Sequence, residues 1–224
     1  MKKALKIDPI MHRWCVASLT DAIEAGLHEE ENRLKTEQSV LGLDARDEVT
    51  LHELLASTLH AASYGVHREV RYPKARKHRR RSVGDRCDLV LTPDGRTLEV
   101  PETASTLFED ETAVALEDAF WLEVKVVSQF TEVGGNPAYS SNLLSTVRED
   151  VTKLSMDKGI LHAGLLILLF TATAEIADHD LGIWQDKCLE KGLPIAAPTS
   201  RVIPISDRLG NQFCTARIYP VRHY

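Results

Sequence analysis

With 224 residues, 43% hydrophobic and 27% charged, the chain can bury the core of one compact domain with additions, and its composition excludes global disorder. A formal charge of -6, from 27 Lys plus Arg against 33 Asp plus Glu, counts against a protein that coats nucleic acid over its whole surface. Cys15, Cys87, Cys188 and Cys214 form no C-x-x-C pair, so neither a zinc site nor a disulfide framework is suggested, and the longest apolar run, residues 163–170, is too short to span a bilayer. No continuous apolar stretch follows the basic Met1-Lys2-Lys3, so the expected location is cytoplasmic, with no membrane anchor.

Taken in chain order, residues 10–25 place Trp14, Leu19 and Ile23 at helical spacing, with Gly26 positioned to stop the helix; residues 28–40 read as a charged second helix or a solvated connector. A better defined helix over 46–63 puts Leu51, Leu55 and Leu59 on one stripe, and Gly65 ends it. Strands follow over 66–72 and 86–91, the second turning at Pro93-Asp94-Gly95, where Pro fixes φ and Gly accepts a positive one. An acidic segment, 99–118, precedes a buried strand over 120–127. An amphipathic helix over 140–155, a fully buried strand over 163–171 and a helix over 175–191 come next. Two short strands, 202–205 and 215–221, flank a turn at Gly210-Asn211. The order describes an α/β fold, an α/β/α sandwich around a mixed central sheet, with residues 1–44 as an N-terminal helical extension to a domain over 45–224.

Two of these strands carry polar residues where apolar ones belong. In Arg86-Cys87-Asp88-Leu89-Val90-Leu91, strand alternation sends Cys87, Leu89 and Leu91 to one face and Asp88 to the other. In Leu122-Glu123-Val124-Lys125-Val126, the three apolar residues share a face, which leaves a carboxylate and an ammonium side by side on the opposite one. Two carboxylates and a cation suit phosphodiester hydrolysis: Asp88 and Glu123 would bind Mg²⁺, with Mn²⁺ able to substitute, and Lys125 would stabilise the attacking hydroxide and the charge developing on phosphate.

Asp88 in GDRCDLVL and Glu123-x-Lys125 in FWLEVKVV resemble the PD-(D/E)XK, or restriction-endonuclease-like, nuclease superfamily over residues 47–171. The order helix, strand, strand with Asp, strand with E-x-K, helix, buried strand is similar to that superfamily's α-β-β-β-α-β core. The resemblance implies a metal-dependent nuclease, most often acting on DNA in restriction, repair or defence, and it extends to members that keep the fold as inactive binding or scaffold subunits. Asp88 follows Cys87 where the pattern has Pro, and the acidic segment must be an insertion before Glu123. The literal Pro93-Asp94 lies closer to Glu123, but Pro-Asp-Gly is a turn signature, whereas Asp88 sits in an apolar strand where a carboxylate needs a reason.

Many members of the superfamily add a Glu from the preceding helix. At 100° per residue, Glu48 falls on the Leu51, Leu55, Leu59 stripe, and Glu53 points nearly opposite and fits a Thr50-x-x-Glu53 capping box. Lys74, Arg76, Lys77, Arg79, Arg80 and Arg81 form a basic segment between the first two strands, suited to nucleic-acid phosphates. Asp150 and Lys153 fit either the site or an exposed helix face. Asp178-His179-Asp180 imitates a metal motif beside an expected turn at Gly182. A homodimer would be a natural way to cut both strands of a duplex. The acidic segment could serve as a protein docking surface.

Overall fold

A computed structural model describes residues 14–73, 86–99 and 112–222. Its elements are α1 (Val16–Thr36), α2 (Glu48–Ala61), β1 (Gly65–Arg71), β2 (Arg86–Thr92), β3 (Phe120–Ser128), the small hairpin β4 (Phe130–Thr131) and β5 (Gly134–Gly135), α3 (Val147–Met156), β6 (His162–Thr171), α4 (Ala174–Glu190), β7 (Thr199–Pro204) and β8 (Phe213–Val221). Six strands form one mixed sheet in the order β1-β2-β3-β6-β8-β7. Only β3 and β6 run parallel, and a parallel pair needs a long crossover, here residues 129–161 with α3 inside it.

The apolar run of β6 feeds both faces of the sheet. Leu166, Leu168 and Phe170 pack with Leu122 and Val124 of β3 under the leucine stripes of α1 and α2. Leu165, Ile167 and Leu169 pack with Trp121 and Val127 under α3 and α4, which supply Val151, Leu154, Leu181 and Trp184. A strand buried on both faces must be apolar at every position, which is why β6 shows no alternation. Burying about 1.5–3 kcal/mol worth of apolar surface per large side chain on each face makes this strand the centre of the fold.

Several expectations are corrected by this architecture. Gly26 does not stop a helix: α1 runs unbroken from Val16 to Thr36. A Cβ at Gly26 would lie 2.0 Å from Thr58 Oγ1, so the glycine allows α1 and α2 to cross closely. The cap of α2 is Asp47, whose side chain accepts from Thr50 N, and not a Thr50-x-x-Glu53 box. Residues 140–155 are not one regular helix, because a π segment, Asn142–Thr146, precedes α3. Gly182 lies inside α4, as do Asp178, His179 and Asp180; Asp178 pairs with Arg217, and Asp180 accepts from Tyr139 Oη at 2.8 Å.

Cys87 and Leu89 do not share a core face. Cys87 joins the core under α3 and α4, while Leu89 and Leu91 join the one under α1 and α2. The β1–β2 ladder pairs Arg68 with Leu89 and then Val70 with Cys87, passing over Glu69 and Asp88. Glu69 has φ 54°, a left-handed conformation that an ordinary strand does not contain. The irregularity turns the strand ends over, so Val66 and Val70 pack against opposite cores.

Candidate active site

β2 and β3 pair from Leu91 opposite Phe120 to Leu89 opposite Leu122, and the ladder stops there. The next residues along the two strands are Asp88 and Glu123. Here a side chain replaces the backbone partner: Asp88 Oδ2 accepts from Val124 N at 2.8 Å. β3 continues beside β6 as far as Ser128, so the two antiparallel strands part where the two carboxylates meet.

Glu123 is 3% exposed, and its Oε1 accepts a hydrogen bond from the Tyr72 hydroxyl. Burial pushes the Glu123 carboxyl up to about 9, and the Asp88 charge and a shared hydrogen bond with Asp88 push it the same way. Burial likewise holds the Tyr72 phenol far above its usual range, so it stays protonated and donates. The Tyr72 ring stacks on Trp121 with centroids 5.6 Å apart, which fixes the hydroxyl over Glu123.

Lys125 lies two residues further along β3. Its Nζ is 3.3 Å from Asp150 Oδ2 on α3 and 3.9 Å from Glu48 Oε1 at the start of α2. Burial works against the ammonium, but Asp150 and Glu48 outweigh it, so the Lys125 pKa is raised. Asp150 is itself 3% exposed, and its Oδ1 accepts from Lys153 Nζ at 2.9 Å. The structure therefore brings Asp88, Glu123, Lys125 and Glu48 together. Glu53 instead pairs with Arg68 at 3.3 Å, and Asp94 is exposed in the turn beyond the other end of β2, with φ 55°. The basic residues Lys74, Arg76, Lys77, Arg79, Arg80 and Arg81, and most of the acidic segment, lie outside the described residues.

Two members of this cluster were not assigned from the sequence. Tyr72 gives no signal there, since a tyrosine near a strand end is ordinary. Asp150 does give one: it stands three residues after Val147 and four before Leu154, on the apolar stripe of its helix, where an acid is out of pattern.

Among the described residues, no group of three or more His, Cys, Asp or Glu side chains is arranged to hold a metal ion. The donor set is a carboxylate pair, which suits Mg²⁺, an ion that takes one or two carboxylates and keeps several waters. The charges agree with such an ion. Fully ionised, Asp88, Glu123, Asp150 and Glu48 face the two ammonium groups of Lys125 and Lys153, an excess of two negative charges that one divalent cation would cancel. Without the ion, a proton on Glu123 relieves part of that excess. The chain matches no protein-family model, no curated protein and no solved structure.

Proposed function

We propose that this chain is a Mg²⁺-dependent nuclease with a restriction-endonuclease-like core, hydrolysing phosphodiester bonds in DNA, with Mn²⁺ able to replace Mg²⁺. The observation that carries the reading is the parting of β2 and β3 at Asp88 and Glu123, with Lys125 beside them. A structural ion pair would bring opposite charges together in such a notch. Two carboxylates driven against each other in a buried place are costly for stability and point to a function.

Asp88 and Glu123 would hold the ion, which when bound supplies Lewis acidity toward water and a phosphate oxygen. Tyr72 keeps Glu123 Oε1 oriented. Lys125, held charged by Asp150 and Glu48, stabilises the negative charge that develops as the P–O bond forms. Glu48, with its side chain 55% exposed, is free to accept a hydrogen bond from the attacking water and so to aim it. The basic segment begins two residues after Tyr72, next to this centre in the chain, and suits the phosphates of a nucleic-acid strand.

The test is cleavage of supercoiled plasmid and of single-stranded DNA in Mg²⁺, Mn²⁺ or EDTA. Asp88→Ala and Lys125→Ala are expected to lose roughly 100-fold or more of a metal-dependent activity that Asp94→Ala retains. Wild-type protein that cuts neither DNA nor RNA with either metal overturns the reading, and if it still binds nucleic acid, the chain is a binding subunit.

A further inference from the structure

Asp150 is a single buried carboxylate that receives two ammonium groups, and the two differ in what they face. Lys125 Nζ lies 3.3 Å from Oδ2, with its side chain 26% exposed and a second acid, Glu48, at 3.9 Å. Lys153 Nζ lies 2.9 Å from Oδ1, with its side chain 45% exposed and Asp150 as its partner. A lysine spaced three residues from an acid on a helix is ordinarily a solvated surface pair, with its ammonium extended toward water. Here the acid is 3% exposed, so Lys153 turns inward, and its ammonium also feels the charge of Glu123. Asp150 and Glu48 between them balance the two ammonium groups, and of the two lysines Lys153 is the more exposed and so the more accessible to a phosphate.

We propose that Lys153, drawn to the rim of the carboxylate notch by Asp150, is a phosphate-contacting residue for the nucleic-acid strand bound there. The proposal rests on the nuclease reading for the identity of its ligand and adds a binding residue, one turn along α3 from Asp150, to the centre formed by Glu48, Tyr72, Asp88, Glu123 and Lys125. Lys125 faces the reacting atoms, whereas Lys153 contacts a phosphate oxygen of the bound strand. Its contribution is to affinity and to the salt dependence of affinity, because a lysine that neutralises a phosphate releases a condensed counterion.

The experiment is fluorescence anisotropy of a labelled duplex of about 20 base pairs, and of its single strand, in EDTA over a series of salt concentrations, using the full chain. Lys153→Met is expected to weaken binding roughly three- to tenfold and to reduce the salt slope by about 1. Lys153→Arg is expected to keep the wild-type slope, as is Lys191→Met, which removes an exposed lysine just past α4. In steady-state cleavage with Mg²⁺, Lys153→Met should raise KM and leave kcat within about threefold. A slope and affinity unchanged in Lys153→Met overturn the proposal while the nuclease reading stands. A wild type that binds DNA without cutting it overturns the nuclease reading, and the slope comparison still decides the role of Lys153. A wild type that binds neither strand form overturns both.

Discussion

Three neighbours act on the charge of Glu123: the Tyr72 hydroxyl, the Asp88 carboxyl and, through space, the Asp150 charge. Of these, only Tyr72 favours its ionised form. Tyr72→Phe keeps the stack on Trp121 and deletes the buried hydroxyl that bonds Glu123 and also meets the Cys87 thiol, so its expected cost is roughly 1–3 kcal/mol of stability, read from urea unfolding in EDTA. Tyr72→Ala also loses the ring and should cost about 3–5 kcal/mol. Equal losses in the two variants would show that the ring adds nothing beyond the hydroxyl, whereas a Tyr72→Phe variant as stable as wild type would show that the hydroxyl contributes nothing and that only packing holds Glu123. Asp88, Glu123 and Lys125 were legible in the sequence because ionisable groups interrupt strands that are otherwise apolar, and burial makes such interruptions expensive. Tyr72 was not, because its role depends on β1 ending beside β3's carboxylate, a relation across the sheet that no local pattern encodes.

At the scale of elements, periodicity located the helices and strands but misread what some punctuation was for. A glycine between an apolar-patterned helix and a charged stretch looks like a stop, yet Gly26 lies within α1 at its crossing with α2. Gly26→Ala would place a methyl group 2.0 Å from Thr58 Oγ1 and 2.4 Å from Thr58 Cγ2, forcing the helices apart at an expected cost of about 1–3 kcal/mol. Adding Thr58→Ala removes both of those atoms but keeps Thr58 Cβ, 2.7 Å away, so the double variant should recover part of the loss, a coupling that a thermal or urea double-mutant cycle measures. If Gly26→Ala is as stable as wild type, the close crossing is not what the glycine provides. The π segment before α3 and the skipped pair at Glu69 and Asp88 were illegible for a related reason. Each is a local departure from regular geometry set by tertiary packing, and regular periods are all that a pattern reading can detect.

For the whole molecule, the proposed metal site would couple protons, metal and stability. The folded-state pKa of Glu123, about 9, lies above its ordinary value of 4.5, so between those limits the folded chain binds more protons than the unfolded one. Stability from this group is fully present below about pH 4.5 and is lost as pH rises through about 9. In EDTA, the melting temperature of the wild type is therefore expected to fall from pH 6 to pH 9. Glu123→Gln, which cannot ionise and retains the shape of the side chain, should fall less steeply and melt above the wild type at the alkaline end. If Asp88 and Glu123 hold Mg²⁺ as proposed, the ion gives the wild type another way to accommodate the charge, by displacing the proton, and a ligand at 100 times its Kd adds about 2.7 kcal/mol. Its stabilising effect should thus be larger at pH 8 than at pH 5.5 and absent in Glu123→Gln. Calorimetric scans of the two proteins across pH, with and without Mg²⁺, separate the alternatives. Parallel pH curves would mean that Glu123 is not the group that titrates, and Mg²⁺ stabilising both proteins alike would move the ion away from the carboxylate pair.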